Sequence, residues 1–187
     1  MNLQNNILIA MPGIKNPMFQ KTVIYICEHN QEGAMGIIIN KPLKNLKIKN
    51  ILKKLNIITS SCLFGPKIFD SVMMGGPQSQ DRGFILHTSN KQFYSSIRIS
   101  EDTVITTSKD ILESIGILED PNKILVALGY CTWDKNQLET EILKNFWLTS
   151  SVNDDILFKI PTAKKWMQAV KNIGINLYQL SSNFGHT

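Results

Sequence analysis

The chain has 187 residues, of which 43% are hydrophobic and 19% charged, with a formal net charge of +5. That places it among ordinary globular proteins, long enough to bury about 70% of its unfolded surface without disulfide staples. The basic balance is almost wholly lysine, since Arg82 and Arg98 are the only arginines. Specific DNA readers lean on bidentate arginine, so the charge is discounted as a sign of nucleic acid.

No low-complexity tract or internal repeat divides the sequence, and no basic leader with a cleavage site opens it, so no signal peptide is expected. No apolar run approaches the ~20 residues that cross a bilayer, and no membrane role is expected. Cys27, Cys62 and Cys131 are odd in number and lack Cys-x-x-Cys spacing, which points to reduced thiols in a cytoplasmic protein.

Ile7–Met11 reads as a first strand. Thr22–Cys27 and Ala34–Asn40 read as two more, joined as an antiparallel hairpin by the polar hexapeptide 28–33. Pro42 ends the second of these. Asn45–Leu55 has apolar residues at helical spacing: Ile48, Ile51, Leu52 and Leu55. Val72–Gly75 and Gly83–His87 look like a second hairpin around residues 76–82. Phe93–Ile99 and Asp102–Thr106 are shorter strands.

A helix is expected from Lys109 to Leu118, with Thr107 and Asp110 as a capping box. Ile124–Tyr130 is a continuous apolar run that suits a strand buried on both faces, followed by a Cys131-Thr132-Trp133 turn. Gln137–Trp147 reads as a helix, capped by Asn136 with Glu139 or by Asp134 with Gln137. Thr162–Asn172 is the last helix, with Pro161 at its start and Gly174 at its end. Its expected inner stripe is Ala163, Trp166, Met167, Val170 and Ile173. Strands and helices do not alternate as βαβ units. The expectation is one α+β domain over residues 1–187, a mixed sheet with antiparallel hairpins and packed helices.

The segments LIAMPG (Leu8–Gly13), Asn16-Pro17 and TVIYICEHNQEGAMGIIINKP (Thr22–Pro42) resemble the AlgH/YqgE family of bacterial proteins. So do GGP (Gly75–Pro77), DRGFILH (Asp81–His87), ITTSKDIL (Ile105–Leu112), LVALGY (Leu125–Tyr130) and QLETEI (Gln137–Ile142). Trp133, Trp147-Leu148-Thr149, Phe158, Pro161, Trp166 and Gly185-His186 extend the resemblance over nearly the whole chain. Cys131-Thr132 stands where that family commonly has Ala-Gly, Asn136 where it has glycine, and Lys165 where it has arginine. The resemblance implies a cytosolic, mixed α/β, largely uncharacterised protein. Its label as a transcriptional regulator comes from an association with alginate control, not from a demonstrated DNA-binding activity.

Two polar groups are candidate ligand-binding residues: Glu28, His29 and Asn30 at the first hairpin loop, and Gly76, Asp81 and Arg82 in the second. Cys27 beside His29 could form a thiolate pair, but strand alternation buries Cys27 and turns Glu28 away, so a core cysteine is favoured. Asn30 and Gly33 can shape a turn, and Asn40 can satisfy backbone groups before Pro42. An Asp81–Arg82 pair can brace its loop. The histidines His29, His87 and His186 have no ligand spacing, so no metal or other cofactor is expected, and no catalytic residue is assigned. The lysine-bearing Asn45–Leu55 helix has no helix-turn-helix partner, and direct DNA binding is disfavoured. The reading is a non-enzymatic regulatory protein with a protein or small-molecule partner. The alternative is an enzyme of unknown reaction that uses the 28–30 and 75–82 loops together.

Overall fold

The computed structural model describes residues 2–57, 66–88, 91–115 and 123–175. The strands are β1 (Asn6–Ala10), β2 (Val23–Asn30), β3 (Gly33–Ile38), β4 (Pro42–Lys47), β5 (Ser71–Met74), β6 (Gln78–Thr88), β7 (Ser96–Arg98), β8 (Val104–Thr106), β9 (Lys123–Asp134) and β10 (Trp147–Ser151). The α-helices are α1 (Ile48–Lys54), α2 (Asp110–Ser114), α3 (Gln137–Leu143) and α4 (Thr162–Asn172). The α+β class holds in its coarse form, with strand the dominant element. The chain forms two compact units, Met1–Lys41 with Cys131–Thr187, and Pro42–Tyr130.

In the first unit the strands run antiparallel in the order β10, β1, β2, β3 and the last residues of β9. Ile7–Ile9, Val23–Ile26 and Ile37–Ile39 are each at most 1% exposed. Consecutive buried residues mean that both strand faces are covered, as β-branched runs permit. Each such isoleucine contributes about 2 kcal/mol of burial. α4 packs against β1 and β2, and α3 against β3 and β10.

The first hairpin is tighter than expected. Glu28, His29 and Asn30 remain in β2, Asn30 pairs with Gly33, and only Gln31 and Glu32 lie between the strands. A bulge at Cys27 separates the Ile26–Gly36 pair from the Glu28–Met35 pair. Beyond it, alternation buries Cys27 and His29 and exposes Glu28 and Asn30. Gly33 has φ +143°, and a Cβ there would sit 2.1 Å from the Trp133 carbonyl oxygen, so no side chain fits.

Three expectations are corrected in this unit. Cys131–Trp133 is not a turn but strand, paired with β3 at Ala34–Trp133 and Gly36–Cys131. α3 stops at Leu143, because Asn145 turns left-handed (φ +57°) and residues 147–151 pair with β1 instead. α4 has the expected bounds but a rotated inner face: Lys165, Ala169 and Val170 are buried, while Ala163 and Met167 are exposed. Of the two caps expected for α3, only the return half of the second is made, Gln137 Oε1 accepting the Asp134 N–H at 3.0 Å; the N-cap residue is Asn136, whose side chain makes no capping bond. Asn136 adopts φ +61°, a conformation that asparagine tolerates better than most residues.

The second unit is built on residues 123–130 of β9. β5 joins them in parallel, with Met73 opposite Ala127, and β6 joins antiparallel, with Phe84 opposite Ala127. The expected 72–87 hairpin is therefore split: β9 runs between its two strands. The Gly75-Gly76-Pro77 link crosses at Gly129. A Cβ on Gly129 (φ +76°) would meet the Gly76 carbonyl oxygen at 2.5 Å and that of Gln78 at 2.7 Å. β8 follows β6, and β7 follows β8.

Residues 42–47, expected to hold a proline stop after the strand and the start of a helix, form β4 against β5. Asn45 at φ +60° breaks helical continuity, and α1 begins only at Ile48. Ile48, Leu52, Val72, Ile85, Ile111 and Val126 are core residues of this unit. In α2, Asp110 accepts the Tyr94 N–H at 2.9 Å in place of the expected box with Thr107. α2 ends at Ser114, short of the expected Leu118, because Ile115 is already extended (φ −67°, ψ 115°). Residues 116–118, Cys62 and Gly185-His186 lie outside the described residues.

Candidate functional site

His29 comes from the end of β2 and turns into the first unit, 7% exposed. Its Nδ1 accepts the Leu3 backbone N–H at 3.0 Å. That leaves Nε2 to carry the proton and donate to Glu139 Oε1, 2.9 Å away on α3. Both ring nitrogens are engaged. The Glu139 carboxyl is held below its usual value, first by its own backbone N–H and further by His29. Sequence reading placed His29 at a loop; the strand's extra length and its alternation turn it inward.

Two residues along α3, Glu141 gathers the aromatic groups. Its Oε2 accepts from Trp133 Nε1 at 2.9 Å and from Trp147 Nε1 at 2.7 Å, and its Oε1 accepts from Gln137 at 2.9 Å. The two indoles stand edge to face with centroids 6.3 Å apart. The QLETEI segment thus ties its helix to three strands through carboxylates that no catalytic spacing had marked.

Cys27 and Cys131 are buried in the first unit. Burial raises the Cys27 thiol far above its usual range, with further upward pushes from Cys131 and Glu28. Burial also pushes the Cys131 thiol up to about 12. A reactive cysteine needs the opposite shift.

Glu28 and Asn30 face outward. Asn30 Nδ2 donates to Glu28 Oε1 at 2.7 Å, and Asn30 Oδ1 accepts the Glu32 N–H at 2.8 Å, so Asn30 shapes the turn. With Glu32, Met35 and Thr132 they border a shallow depression of about 190 Å³. The second candidate group lies in the other unit. Gly76 is buried at the crossing over Gly129, while Asp81 and Arg82 are exposed on the residues of β6 that bulge between the Gln78–Tyr130 and Gly83–Leu128 pairs. The expected Asp81–Arg82 brace does not form: the Arg82 guanidinium lies 5.6 Å from the Phe84 ring centroid.

His87 is fully buried with Nε2 2.8 Å from Thr106 Oγ1. Two lysines of the expected 45–55 helix are engaged locally, Lys49 of α1 over the Phe69 ring and Lys47 at the end of β4 on Ser71 Oγ at 2.9 Å. Among the described residues no group of three or more His, Cys, Asp or Glu could hold a metal ion, and no helix is long and apolar enough to cross a membrane.

A second place in the first unit lies at Asn40, which satisfies backbone groups before Pro42 as expected, while the cleft beside it escaped sequence reading. Asn40 closes the open end of the β2–β3 hairpin, accepting the Val23 N–H and donating to the Lys21 carbonyl, both at 2.8 Å. Beside it, Met11, Pro12, Pro17 and Trp166 with Lys21 and Lys41 line a cleft of about 380 Å³. Trp166 reaches it from α4, its Nε1 donating to the Ala10 carbonyl at 2.9 Å. One signal was available: Ile24 pairs with Ile38, and three residues outward on each strand stand Lys21 and Lys41.

The comparisons with known proteins fit this architecture. The family described as AlgH-like matches residues 7–178. The chain belongs to the AlgH-like family. It is 54% identical over its whole length, and over all of the relative's, to the UPF0301 protein YqgE of Salmonella typhi, and 52% identical on the same terms to a UPF0301 protein of Erwinia tasmaniensis. Among solved structures it is similar to the AlgH protein of Pseudomonas aeruginosa, with TM-score 0.77, 36% identity and coverage of 100% of this chain and 97% of that one. A protein of Corynebacterium diphtheriae shares the fold at TM-score 0.70 and 18% identity, over 91% of this chain and 86% of its own. Membership in this family names no reaction.

Proposed function

We propose that this chain is a non-enzymatic binding protein, regulatory in role and cytoplasmic, acting through a protein or small-molecule partner. The observation that carries the reading is the engagement of the groups best suited to chemistry. His29 has a partner on each ring nitrogen, and the Cys27 and Cys131 thiols are buried and pushed upward. What stays exposed on the first hairpin includes Glu28, Asn30, Gln31 and Glu32, a polar edge suited to recognition. The lysines of α1 support weak, salt-sensitive attraction to polyanions rather than sequence reading.

A metabolite panel read by thermal shift, run beside a hydrolase and transferase turnover panel, tests the proposal. A saturable shift of several degrees without product formation is the expected result. Turnover that disappears on replacing His29 or Arg82 would contradict it and revive a catalytic reading.

A further inference from the structure

We infer that the cleft at the open end of the β2–β3 hairpin binds a small anionic ligand with a planar apolar portion, such as an aromatic phosphate or carboxylate. This names the ligand class for the binding reading and rests on it.

Four observations converge. The volume, about 380 Å³, lies in the range of small-molecule sites. The described lining residues include two lysines and no acidic side chain. The Lys21 ammonium has no carboxylate or hydrogen-bond partner among the described residues, and Lys41 reaches only the neutral Gln20 carbonyl, at 2.7 Å. Two cations at one end of a hairpin, without counter-charge among the described residues, together favour an anion, and a bound phosphate or carboxylate can accept from both.

Other lining residues supply the apolar half. Pro12 and Pro17 present rigid rings that lose little entropy on binding, and Trp166 presents a half-buried indole. The indole is fixed in place because its N–H is already held by the Ala10 carbonyl. A preset aromatic surface of this kind favours flat ligands. The backbone that carries Lys21 is also braced, since Asn40 clamps the Val23 N–H and the Lys21 carbonyl.

Titration of ¹⁵N-labelled full-length protein with phenyl phosphate, followed by ¹H–¹⁵N spectra, tests the inference. Saturable shifts are expected at the Trp166 indole and at the Lys21 and Lys41 amides. Inorganic phosphate and phenol each bind at least about tenfold more weakly, because each lacks one half of the contact. The paired change Lys21→Gln with Lys41→Gln weakens phenyl phosphate at least about tenfold, and added salt weakens the wild type. Single substitutions at either lysine, each with an unchanged melting temperature, guard against a fold defect in the pair. Absent shifts, shifts centred away from the cleft, or affinity indifferent to the lysine changes would overturn the site while leaving the binding reading in place. Release of phosphate from the probe by the wild type would overturn the binding reading on which the site rests.

Discussion

His29 on β2 and Glu139 on α3 meet at 2.9 Å, and the backbone N–H of Leu3 fixes which imidazole nitrogen carries the proton. The ring therefore sits in the Nε2–H form. ¹⁵N chemical shifts of the imidazole would show a protonated Nε2 and an unprotonated Nδ1. A double-mutant cycle with His29→Ala and Glu139→Gln is expected to give a coupling of about 1 kcal/mol, modest because Glu139 is partly solvated. Glu139 titrates below its ordinary value of 4.5 in the fold. Its contribution is thus present above that pH and is lost as the pH falls through the folded value. The stability gap between wild type and Glu139→Gln should narrow on acidification below about pH 4.5.

Glu141 supports two buried indoles at once. Glu141→Ala leaves the N–H groups of Trp133 and Trp147 without their carboxylate acceptor, each residue being at most 5% exposed. The expected cost is about 2–3 kcal/mol, measured by urea unfolding, with a change in tryptophan emission. Glu141→Gln keeps one acceptor oxygen and should lose less.

Lys165 is 3% exposed, its Nζ donating to the Leu157 carbonyl at 2.5 Å. Burial pushes its ammonium down to about 8, from an ordinary 10.5. The unfolded chain therefore holds this proton more tightly, so the Lys165 contribution to stability rises as the pH climbs from about 8 to 10.5 and is least favourable below that window. Lys165→Met should stabilise the protein at pH 7 by about 1–2 kcal/mol and flatten this part of the profile, read as the difference from wild type. The buried thiols shift the other way in the same range, which is why the difference, and not the raw curve, is the measurement.

What the sequence could reveal depended on range. α4 was legible to the residue, since Pro161, Gly174 and an apolar repeat mark a helix locally; its buried face was not, because nothing local says that a lysine will point inward onto Leu157. The hairpin of β2 and β3 was legible, but its strand was read three residues short, because exposed polar residues on a strand look like loop. The 72–87 hairpin failed for a topological reason: β9, some forty residues on, runs between its strands. Of the candidate site, the inward turn of Cys27 followed from alternation. The cleft did not, since Trp166 stands 156 residues from the Ala10 carbonyl that holds it.

The central claim is that the groups best suited to chemistry are engaged structurally and that function lies in binding. Residue-resolved modification of the native protein tests it most directly, with iodoacetamide for Cys27 and Cys131, diethylpyrocarbonate for His29, and peptide mass spectrometry as readout. The account predicts that all three react at least about 100-fold more slowly than in urea-unfolded chain. Modification of any one of them, in the native state, within about tenfold of the unfolded rate would contradict it.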